Sequence, residues 1–471
     1  MRFTRLICLL SSVVLGGTSL GCAVKQPPQP ADALAGVLPG TTVVPPEWTA
    51  TTGVSGAVNA GWLGTFQDPQ LDSLVDEALQ HNLDLVAAAA RVDGSAALAT
   101  AARSLLYPQL WANGLAGYVR RGEIRERSGL VLGVSWELDL WGRVRAAGAS
   151  ADAMREATAA DALAARQSLA ALVATLWYQS IATDRLRATA ITATSVYDDL
   201  LRLVRNRQDV GQVGGQDVAL ATADLERSRE RERAFAASLQ QLIRSLEVLL
   251  GRYPAAEVKL APSLPSVPPP IPDGLPSELL ERRPDLVAAE RRVASAFHAV
   301  QSAKAARLPR FALTFEGGRS SSELIRLIGA GAGFMSAGLE MFAPIFLGGA
   351  LQAQVRLANA DQEAALALFG QAALRAFSEV ESTLGSDPLL ADQERHLENV
   401  LAQDSEALRL GRLRYEGGAT DLLHVLEIQE RVLDSQFALV AIRNDRLANR
   451  IALHLALGGG FPAPVPVTNR P

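Results

Sequence analysis

Apolar and polar residues alternate with a period of two in four short stretches of the chain, and this pattern predicts β-strands. The predicted strands lie at about 109–119, 129–139, 310–317 and 333–343. In the second strand, alternate positions on one face are all apolar: Leu130, Leu132, Val134, Trp136 and Leu138. Strands of about 9–11 residues with one apolar face suit a membrane β-barrel with a wet interior. A half-buried hairpin of a soluble protein gives the same alternation, so both interpretations stand.

Helical composition and periodicity dominate the rest of the chain. We predict a helix over 69–106, long helices at about 143–206 and 349–414, and returning helices at about 216–250 and 420–457. The first long helix contains no proline and would extend roughly 96 Å at about 1.5 Å per residue, which favours coiled-coil packing. In the second long helix, Asp387-Pro388 resembles an N-cap followed by a first-turn proline. This dipeptide predicts a kink or a break there.

Short sequences of the first half recur in the second half, in the same order and displaced by 201 to 208 positions. The recurring pairs are 82–87 with 283–288, 106–108 with 307–309, 136–138 with 339–341, 214–217 with 417–421, and 251–254 with 459–462. Such repeats predict two similar halves, 61–253 and 277–461, joined by a proline-rich connector at 254–276. Each half reads helix, strand, strand, long helix, helix, with a charged loop at 120–128 between the first two strands.

The first residues have the layout of a secretory signal, in which Arg2 and Arg5 precede an apolar run and small residues. The sequence Ser19-Leu20-Gly21-Cys22 resembles a bacterial lipobox, with Ser19 where leucine is usual. Ordinary cleavage beside an incidental Cys22 is the alternative. The terminal segments are therefore predicted as a signal peptide over 1–21, a tether lipidated at Cys22 over 22–60, and a C-terminal tail over 462–471.

Composition excludes several classes of protein. A formal net charge of −5 argues against nucleic acid as the main partner. The chain has two cysteines, Cys8 and Cys22, which build neither a disulfide framework nor a Cys-based zinc site. It lacks a Gly-Lys-Ser/Thr phosphate loop, a His-Glu-x-x-His motif and a Gly-x-Ser-x-Gly motif. We therefore predict no enzyme activity, no cofactor and no metal site. After the signal, no segment reaches 18 uninterrupted apolar residues, so no transmembrane helix is predicted.

Several blocks of the sequence are specific in combination. They are Asp68-Pro69-Gln70-Leu71, Ala78-Leu79-Gln80-His81-Asn82, Trp136-Glu137-Leu138-Asp139-Leu140-Trp141-Gly142-Arg143, Arg282-Arg283-Pro284-Asp285-Leu286, Pro344-Ile345-Phe346 with Gly348-Gly349, Val425-Leu426-Glu427-Ile428-Gln429, and Ala456-Leu457-Gly458-Gly459-Gly460. Together they resemble the TolC-like outer-membrane efflux factors and, within them, the OprM/NodT-like lipoproteins of resistance-nodulation-division (RND) pumps. The resemblance spans about residues 60–461.

The resemblance implies a mainly α-helical fold with a small membrane β part. It implies a homotrimer whose 12-stranded outer-membrane β-barrel continues as a periplasmic α-helical barrel. Four strands alone would leave edge N–H and C=O groups unpaired in lipid, whereas twelve can close around an aqueous bore. The implied partners are a periplasmic adaptor protein, an inner-membrane RND pump and outer-membrane lipid. The chain would be a passive exit duct, lipid-anchored in the bacterial outer membrane and extending into the periplasm.

In the family, the turns at the far ends of the long helices close the periplasmic entrance and meet the adaptor. The corresponding tips here carry Gly214, Gly215, Gly417 and Gly418. The candidate gate residues are Arg412, Arg414, Tyr415, Asp421, His424 and Glu427, facing Asp209 and Asp217 on the other hairpin. Opposite charges or the Tyr415 hydroxyl would bridge the two hairpins. N-capping is the alternative role of Asp217 and Asp421.

Family members often have acidic residues at the positions of His424 and Glu427, where they form constricting rings. Glu427 keeps that charge, whereas His424 would make a pH-sensitive ring.

Two rival functions remain from the sequence. One is the outer-membrane duct of a type I protein-secretion system, which the neighbouring transporter genes would distinguish from a pump. The other is a structural, trimeric coiled-coil lipoprotein of the periplasm, which would stay water-soluble once its lipid is removed.

Overall fold

The computed structural model describes residues 25–50, 61–121, 123–272, 274–321 and 333–459. The predicted signal peptide, Cys22, the C-terminal tail and part of the tether lie outside these ranges. The described part is mainly helical with one small sheet, as the sequence predicted.

The first half contains α1 (Pro30–Val37), α2 (Pro69–His81), α3 (Leu83–Ser104), β1 (Gln109–Arg121), β2 (Glu123–Leu138), α4 (Arg143–Asp209) and α5 (Gly215–Leu249). The second half contains α6 (Leu279–Arg282), α7 (Pro284–Ala305), β3 (Arg310–Ser321), β4 (Gly333–Phe342), α8 (Ala350–Glu416) and α9 (Leu422–Ala456). Short 3₁₀ helices lie at Trp62–Phe66 and Pro276–Glu278. The connector at 254–276 has no α-helix or strand among its described residues.

Corresponding helices of the two halves have equal lengths. Helices α3 and α7 have 22 residues each and start 201 positions apart. Helices α4 and α8 have 67 residues each, α5 and α9 have 35 each, and both pairs start 207 positions apart. The displacement between equivalent residues of the two halves therefore rises from 201, in the helix before the strands, to 207, in the helix after them.

Strand pairing locates that change. Gln109 pairs with Ser135, and Arg310 pairs with Phe342. Gln109 and Arg310 are 201 positions apart, whereas Ser135 and Phe342 are 207 apart, so the second hairpin is longer by six residues. The alignment of 136–138 with 339–341, at a displacement of 203, is therefore wrong for the strands.

The four strands form one antiparallel sheet in the order β1-β2-β3-β4. The predicted loop at 120–128 is wrong, because the β1–β2 ladder continues to the pair Arg121↔Glu123. The loop was inferred from its charged side chains, which do not prevent backbone hydrogen bonding. One face of the sheet carries exposed apolar residues on every strand: Leu110, Leu130, Leu132, Leu313, Phe315, Leu339 and Met341.

The junction from β2 to α4 is held by the acidic residues of the Trp-Glu-Leu-Asp block. Glu137 accepts two hydrogen bonds from the Arg143 guanidinium, at 3.0 and 2.7 Å. The Asp139 carboxylate accepts from the backbone N–H groups of Val144 and Arg145, at 3.0 and 2.9 Å. These bonds satisfy donors at the start of α4 that have no partner within the helix.

The helix predicted over 69–106 is two helices, α2 and α3, divided at Asn82. The Asn82 side-chain oxygen accepts from the N–H groups of Asp84 and Leu85, at 3.0 and 3.2 Å, and so caps α3. Its amide nitrogen donates to the Leu249 carbonyl at 3.0 Å. An asparagine side chain that satisfies a new helix start explains the division.

Helix α8 runs through Pro388 without a break. Asp387 does not cap a new helix there. Its carboxylate instead accepts two hydrogen bonds from the Arg450 guanidinium of α9, at 2.9 and 3.0 Å. Packing against α9 therefore holds a helix that proline alone would interrupt.

The chain divides into two compact units. Unit 1 comprises Met1–Gly40, Ala90–Asp161 and Asp285–Ala372, and it contains the sheet. Unit 2 comprises Thr41–Ala89, Ala162–Pro284 and Ala373–Pro471. A large apolar cluster of unit 2 includes Trp62, Phe66, Val75, Trp177, Tyr178, Ile243, Leu246, Leu447 and Ile451. Asp68 caps α2 and also accepts from the Trp177 indole N–H at 2.8 Å, which ties α2 to α4.

Among the described helices, only α3 is long and apolar enough to cross a membrane by its length and composition. Arg91 and Asp93 interrupt its apolar sequence, so α3 contains no run of 18 uninterrupted apolar residues. Ala99 is the one buried residue of α3, whereas its counterpart α7 buries nine.

Candidate functional site

The candidate gate lies in unit 2, where two turns join α4 to α5 and α8 to α9. We call these turns, with the helix ends beside them, the tip site. Both turns begin with the same backbone motif. The N–H of Gln212 donates to the Arg207 carbonyl and the N–H of Ala419 donates to the Arg414 carbonyl, at 2.9 and 2.8 Å. Gly211 and Gly418 each have φ of +74° in the middle of this motif, a conformation that favours glycine.

The predicted tip glycines occupy different positions. Gly418 ends α8 in the left-handed conformation. Gly417 follows the last residue of α8, while Gly214 is the N-cap of α5 and Gly215 is its first residue. Gly211 was not among the predicted tip glycines, although it is the counterpart of Gly418 at a displacement of 207.

Asp217 and Asp421 both act at helix starts. The Asp217 carboxylate accepts from the Gly214 N–H at 3.0 Å. The Asp421 carboxylate accepts from the His424 N–H at 3.0 Å, as an N-cap of α9. These contacts favour the capping role that the sequence left open.

Within a single chain, the described residues form none of the charge pairs predicted across the two hairpins, and pairs between neighbouring copies stay a prediction. Asp209 is exposed at the end of α4, and no ion pair between described residues joins Asp209 or Asp217 to Arg412 or Arg414. Arg412 donates instead to the side-chain oxygen of Gln429 at 2.7 Å, within the second hairpin. The remaining candidates are exposed to solvent: Arg414, His424 and Glu427.

Tyr415 is the candidate that joins the two hairpins, through its ring and backbone. The Arg207 guanidinium of α4 lies over the Tyr415 ring, 4.1 Å from its centroid. Arg207 also reaches the Tyr415 carbonyl at 3.5 Å. The Tyr415 hydroxyl is buried and has no hydrogen-bond partner in the described part of the chain. Within one chain, Tyr415 therefore contacts the other hairpin through a cation–π contact and its carbonyl, not through its hydroxyl.

Arg207 could have been found from the turns. It lies four residues before Gly211, and Tyr415 lies three residues before Gly418. Because the two turns are equivalent, Arg207 and Tyr415 lie at nearly the same distance from the turn that follows each of them.

A cavity of about 310 Å³ adjoins Tyr415 between α4, α8 and α9. Its walls combine apolar and polar side chains: Val196, Leu200, Leu203, Val425, Asp199, Arg412, Glu416 and Gln429. Beneath the tip site, a buried cluster joins the two hairpins through Tyr197, Leu201, Val204, Leu225, Leu408, Leu422 and Ile428. Burial raises the pKa of Tyr197 to about 12, with the charges of Asp224 and Glu430 acting in the same direction, so Tyr197 stays neutral.

The tip site holds acidic, basic and aromatic side chains. Among the described residues, no group of three or more His, Cys, Asp or Glu side chains could hold a metal ion. These side chains form contacts between helices, such as the Arg207 guanidinium over the Tyr415 ring.

The chain is similar to known outer membrane efflux proteins over nearly its whole length. The profile of the family described as Outer membrane efflux protein matches residues 74–252 and 275–459. The chain is 31% identical to the Pyoverdine export outer membrane protein OpmQ of Pseudomonas putida, over 99% of this chain and 100% of OpmQ. It is 28% identical to the Probable efflux pump outer membrane protein TtgC of the same species, over 96% and 94% of the two chains.

A solved structure is similar over nearly the whole length. The open state of the MtrE outer membrane channel of Neisseria gonorrhoeae has a TM-score of 0.80 with this chain. The similarity covers 93% of this chain and 97% of MtrE, at 28% sequence identity.

Proposed function

The chain belongs to the outer membrane efflux protein family, and on that premise we propose that three copies form the exit duct of a tripartite efflux pump. The duct conducts substrates passively from the periplasm to the exterior. The strands cross the outer membrane as a 12-stranded barrel, and the long helices continue the duct into the periplasm.

The open sheet is the observation that carries this proposal. Strands β1 and β4 are its two edges, and neither pairs on its outer side with another described strand. The same sheet exposes apolar residues of all four strands on one face. Unpaired backbone groups in lipid cost several kcal/mol each, so a sheet with a lipid-facing surface has to close. Four strands are too few for a wet bore, and three copies supply twelve.

The similar halves support the helical part of the proposal. The two long helices have the same length, and so do the two returning helices. Three copies would therefore supply six nearly equivalent hairpins around one axis. Their tips, at Gly211–Gly215 and Gly417–Asp421, would close the periplasmic entrance and meet an adaptor protein.

A tripartite efflux pump requires two proteins besides its exit duct. A passive duct has no energy source, so an inner-membrane pump of the RND type would supply transport and a periplasmic adaptor would connect the two. Lipidation of Cys22 would add an anchor in the outer membrane. His424 and Glu427, both exposed on α9, would form rings by three-fold repetition near the entrance.

Planar lipid bilayers test the duct directly. Protein purified in detergent should insert and give discrete conductance steps with no nucleotide and no proton gradient. A protein that stays soluble without detergent once the lipid is removed, and that gives no conductance, would favour a structural lipoprotein instead.

A deletion strain tests the pump against type I secretion. We expect the strain to become more susceptible to small toxic compounds, with its secreted proteins unchanged. Loss of a secreted protein at unchanged susceptibility would assign the duct to protein secretion.

A further inference from the structure

One face of helix α4, in unit 2, is covered by the residues that precede and form α2. This face contains Ala170, Ala174 and Tyr178, which are four positions apart and buried in the large apolar cluster. The Phe66 ring centroid lies 5.6 Å from that of Tyr178. The same cluster includes the apolar side chains of α2. The short 3₁₀ helix and α2 together therefore shield this face of α4 from water.

The second half has no helix of equal length at the place of α2 in its described residues. At a displacement of 201, α2 corresponds to residues 270–282. Among the described residues of that range, only Leu279–Arg282 form an α-helix. Pro270, Pro272 and Pro276 explain this difference, because proline interrupts the interior of a helix. A different segment has to cover the equivalent face of α8.

The N-terminal tether contacts that face. The counterparts of the three α4 residues, 207 positions later, are Phe377, Glu381 and Gly385. The buried Trp48 ring meets Phe377 edge-on, with 6.2 Å between the ring centroids. A Cβ added at Gly385 would lie 3.8 Å from the Cβ of Ala50, so a side chain larger than alanine there would meet the tether.

A carboxylate fastens the tether between these two contacts. Glu381 accepts from the backbone N–H of Thr49 with Oε1, at 2.8 Å, and from that of Ala50 with Oε2, at 2.9 Å. Hydrogen bonds to an ionised carboxylate are stronger than neutral ones. In unit 1, the tether meets α8 again at Gly370, where an added Cβ would come within 2.8 Å of Val37 Cγ1. Gly370 and Gly385 thus both lie beside the tether.

We infer that residues 37–50, which we call the strap, take the place of α2 in the second half and stabilise α8. The tether then has two roles. The proposed lipid at Cys22 would anchor the chain, and the strap forms part of the fold. All strap contacts lie within one chain, so the inference depends neither on the number of chains nor on transport.

The exchange of alanine for glutamate between the halves supports this inference. Helix α2 satisfies most of its backbone N–H groups by itself, so the apolar Ala174 suffices in the face that it covers. An extended strap has no such internal partners, and a backbone N–H that is buried without an acceptor costs free energy. Glu381, at the position equivalent to Ala174, supplies two acceptors for the strap.

Hydrogen–deuterium exchange of the purified full-length protein tests the strap. The substitution Glu381→Gln keeps the size of the side chain and removes its charge and one of its two acceptor oxygens. In this variant, the peptide that contains Thr49 and Ala50 should exchange about tenfold faster or more, and the melting temperature should fall. Glu363→Gln is the matched control, because Glu363 is exposed on the same helix.

A disulfide separates the strap from other effects of the substitution at 381. Ala50→Cys with Gly385→Cys places two Cβ atoms about 3.8 Å apart, which is the usual spacing in a disulfide. Oxidation should fasten the strap covalently. In the Glu381→Gln background it should restore slow exchange at the strap and most of the lost melting temperature. The two single-cysteine variants, which retain Cys22 like the unmodified chain, are the controls.

Faster exchange in Glu381→Gln that the disulfide reverses would support the strap. Equal exchange in the Glu381→Gln and Glu363→Gln variants would overturn it. A disulfide that does not form on oxidation, or one that forms and leaves the melting temperature low, would overturn it as well. A protein with a protected strap that is monomeric in detergent would contradict the proposed duct and leave the strap intact.

Discussion

The guanidinium of Arg207 lies 4.1 Å from the centroid of the Tyr415 ring and joins the end of α4 to the end of α8. This contact connects the two hairpins whose turns form the tip site. The Tyr415 side chain is 5% exposed, so the contact is shielded from solvent. A cation over an aromatic ring contributes about 0.5–2 kcal/mol, depending on how far it is desolvated.

Replacing Arg207 by alanine should loosen the tips and raise the single-channel conductance in planar bilayers. Tyr415→Phe should leave the conductance unchanged, because the ring is kept and the hydroxyl has no partner in the described residues. Arg202→Ala is the matched control, since Arg202 pairs with Asp198 and Asp199 on its own helix. Equal conductance in the Arg207 and Arg202 variants would remove this contact from the gate.

Asp421→Ala should destabilise the protein and leave the conductance unchanged. The Asp421 carboxylate caps α9, and loss of an N-cap costs about 0.5–2 kcal/mol. Asp421→Ser keeps a capping oxygen and should restore most of the thermal stability. A conductance that rises in both variants would instead assign the carboxylate to the gate.

Replacing only one partner of the ion pair between Arg450 and Asp387 should destabilise the protein strongly. Arg450 is 2% exposed, and burial lowers the pKa of its guanidinium, with Asp387 opposing that shift. Asp387→Leu leaves a buried, unpaired cation and should cost about 3–5 kcal/mol. The double variant Asp387→Leu with Arg450→Met should regain most of the lost melting temperature. A double variant as unstable as the single one would show that the pair itself stabilises this fold.

His454 should make stability depend on pH. Burial, helped by the charge of Arg450, lowers its pKa from 6.5 to about 3, and the ring stacks on Trp62 at 5.5 Å. Between these values the unfolded chain binds a proton that the folded chain does not. The contribution of His454 to the free energy of unfolding is therefore complete above pH 6.5. It falls by about 1.4 kcal/mol for each pH unit below that value, until about pH 3.

The variant His454→Phe keeps an aromatic ring and removes the titration. Its melting temperature should fall less than that of the unmodified protein between pH 8 and pH 5. Parallel curves for the two proteins would show that His454 is not the group responsible.

Much of the fold could be predicted because its signals are local. The alternation around Trp136 predicted strand β2, and the absence of proline between 143 and 206 predicted α4. The family resemblance, which rests on blocks such as the one from Trp136 to Arg143, is confirmed by the match to the outer membrane efflux protein family. The function predicted with it, outer-membrane efflux, is confirmed by the same comparisons.

The errors came from contacts between distant parts of the chain. Asp387-Pro388 has the local sequence of a helix start, but Arg450, 63 positions later, holds the helix through it. The contact of Arg207 with Tyr415 spans 208 positions, and only the equivalence of the two turns, not a local pattern, indicates it. For Asp217 and Asp421 the sequence offered both gating and helix capping, and each carboxylate accepts from a backbone N–H group three residues away in sequence.

Sedimentation of the purified protein in detergent of matched density counts the chains in each particle. The proposed closure of the four-stranded sheet by neighbouring copies predicts three chains in every particle and no stable monomer. A particle that holds a single chain in detergent would contradict a duct built from three copies.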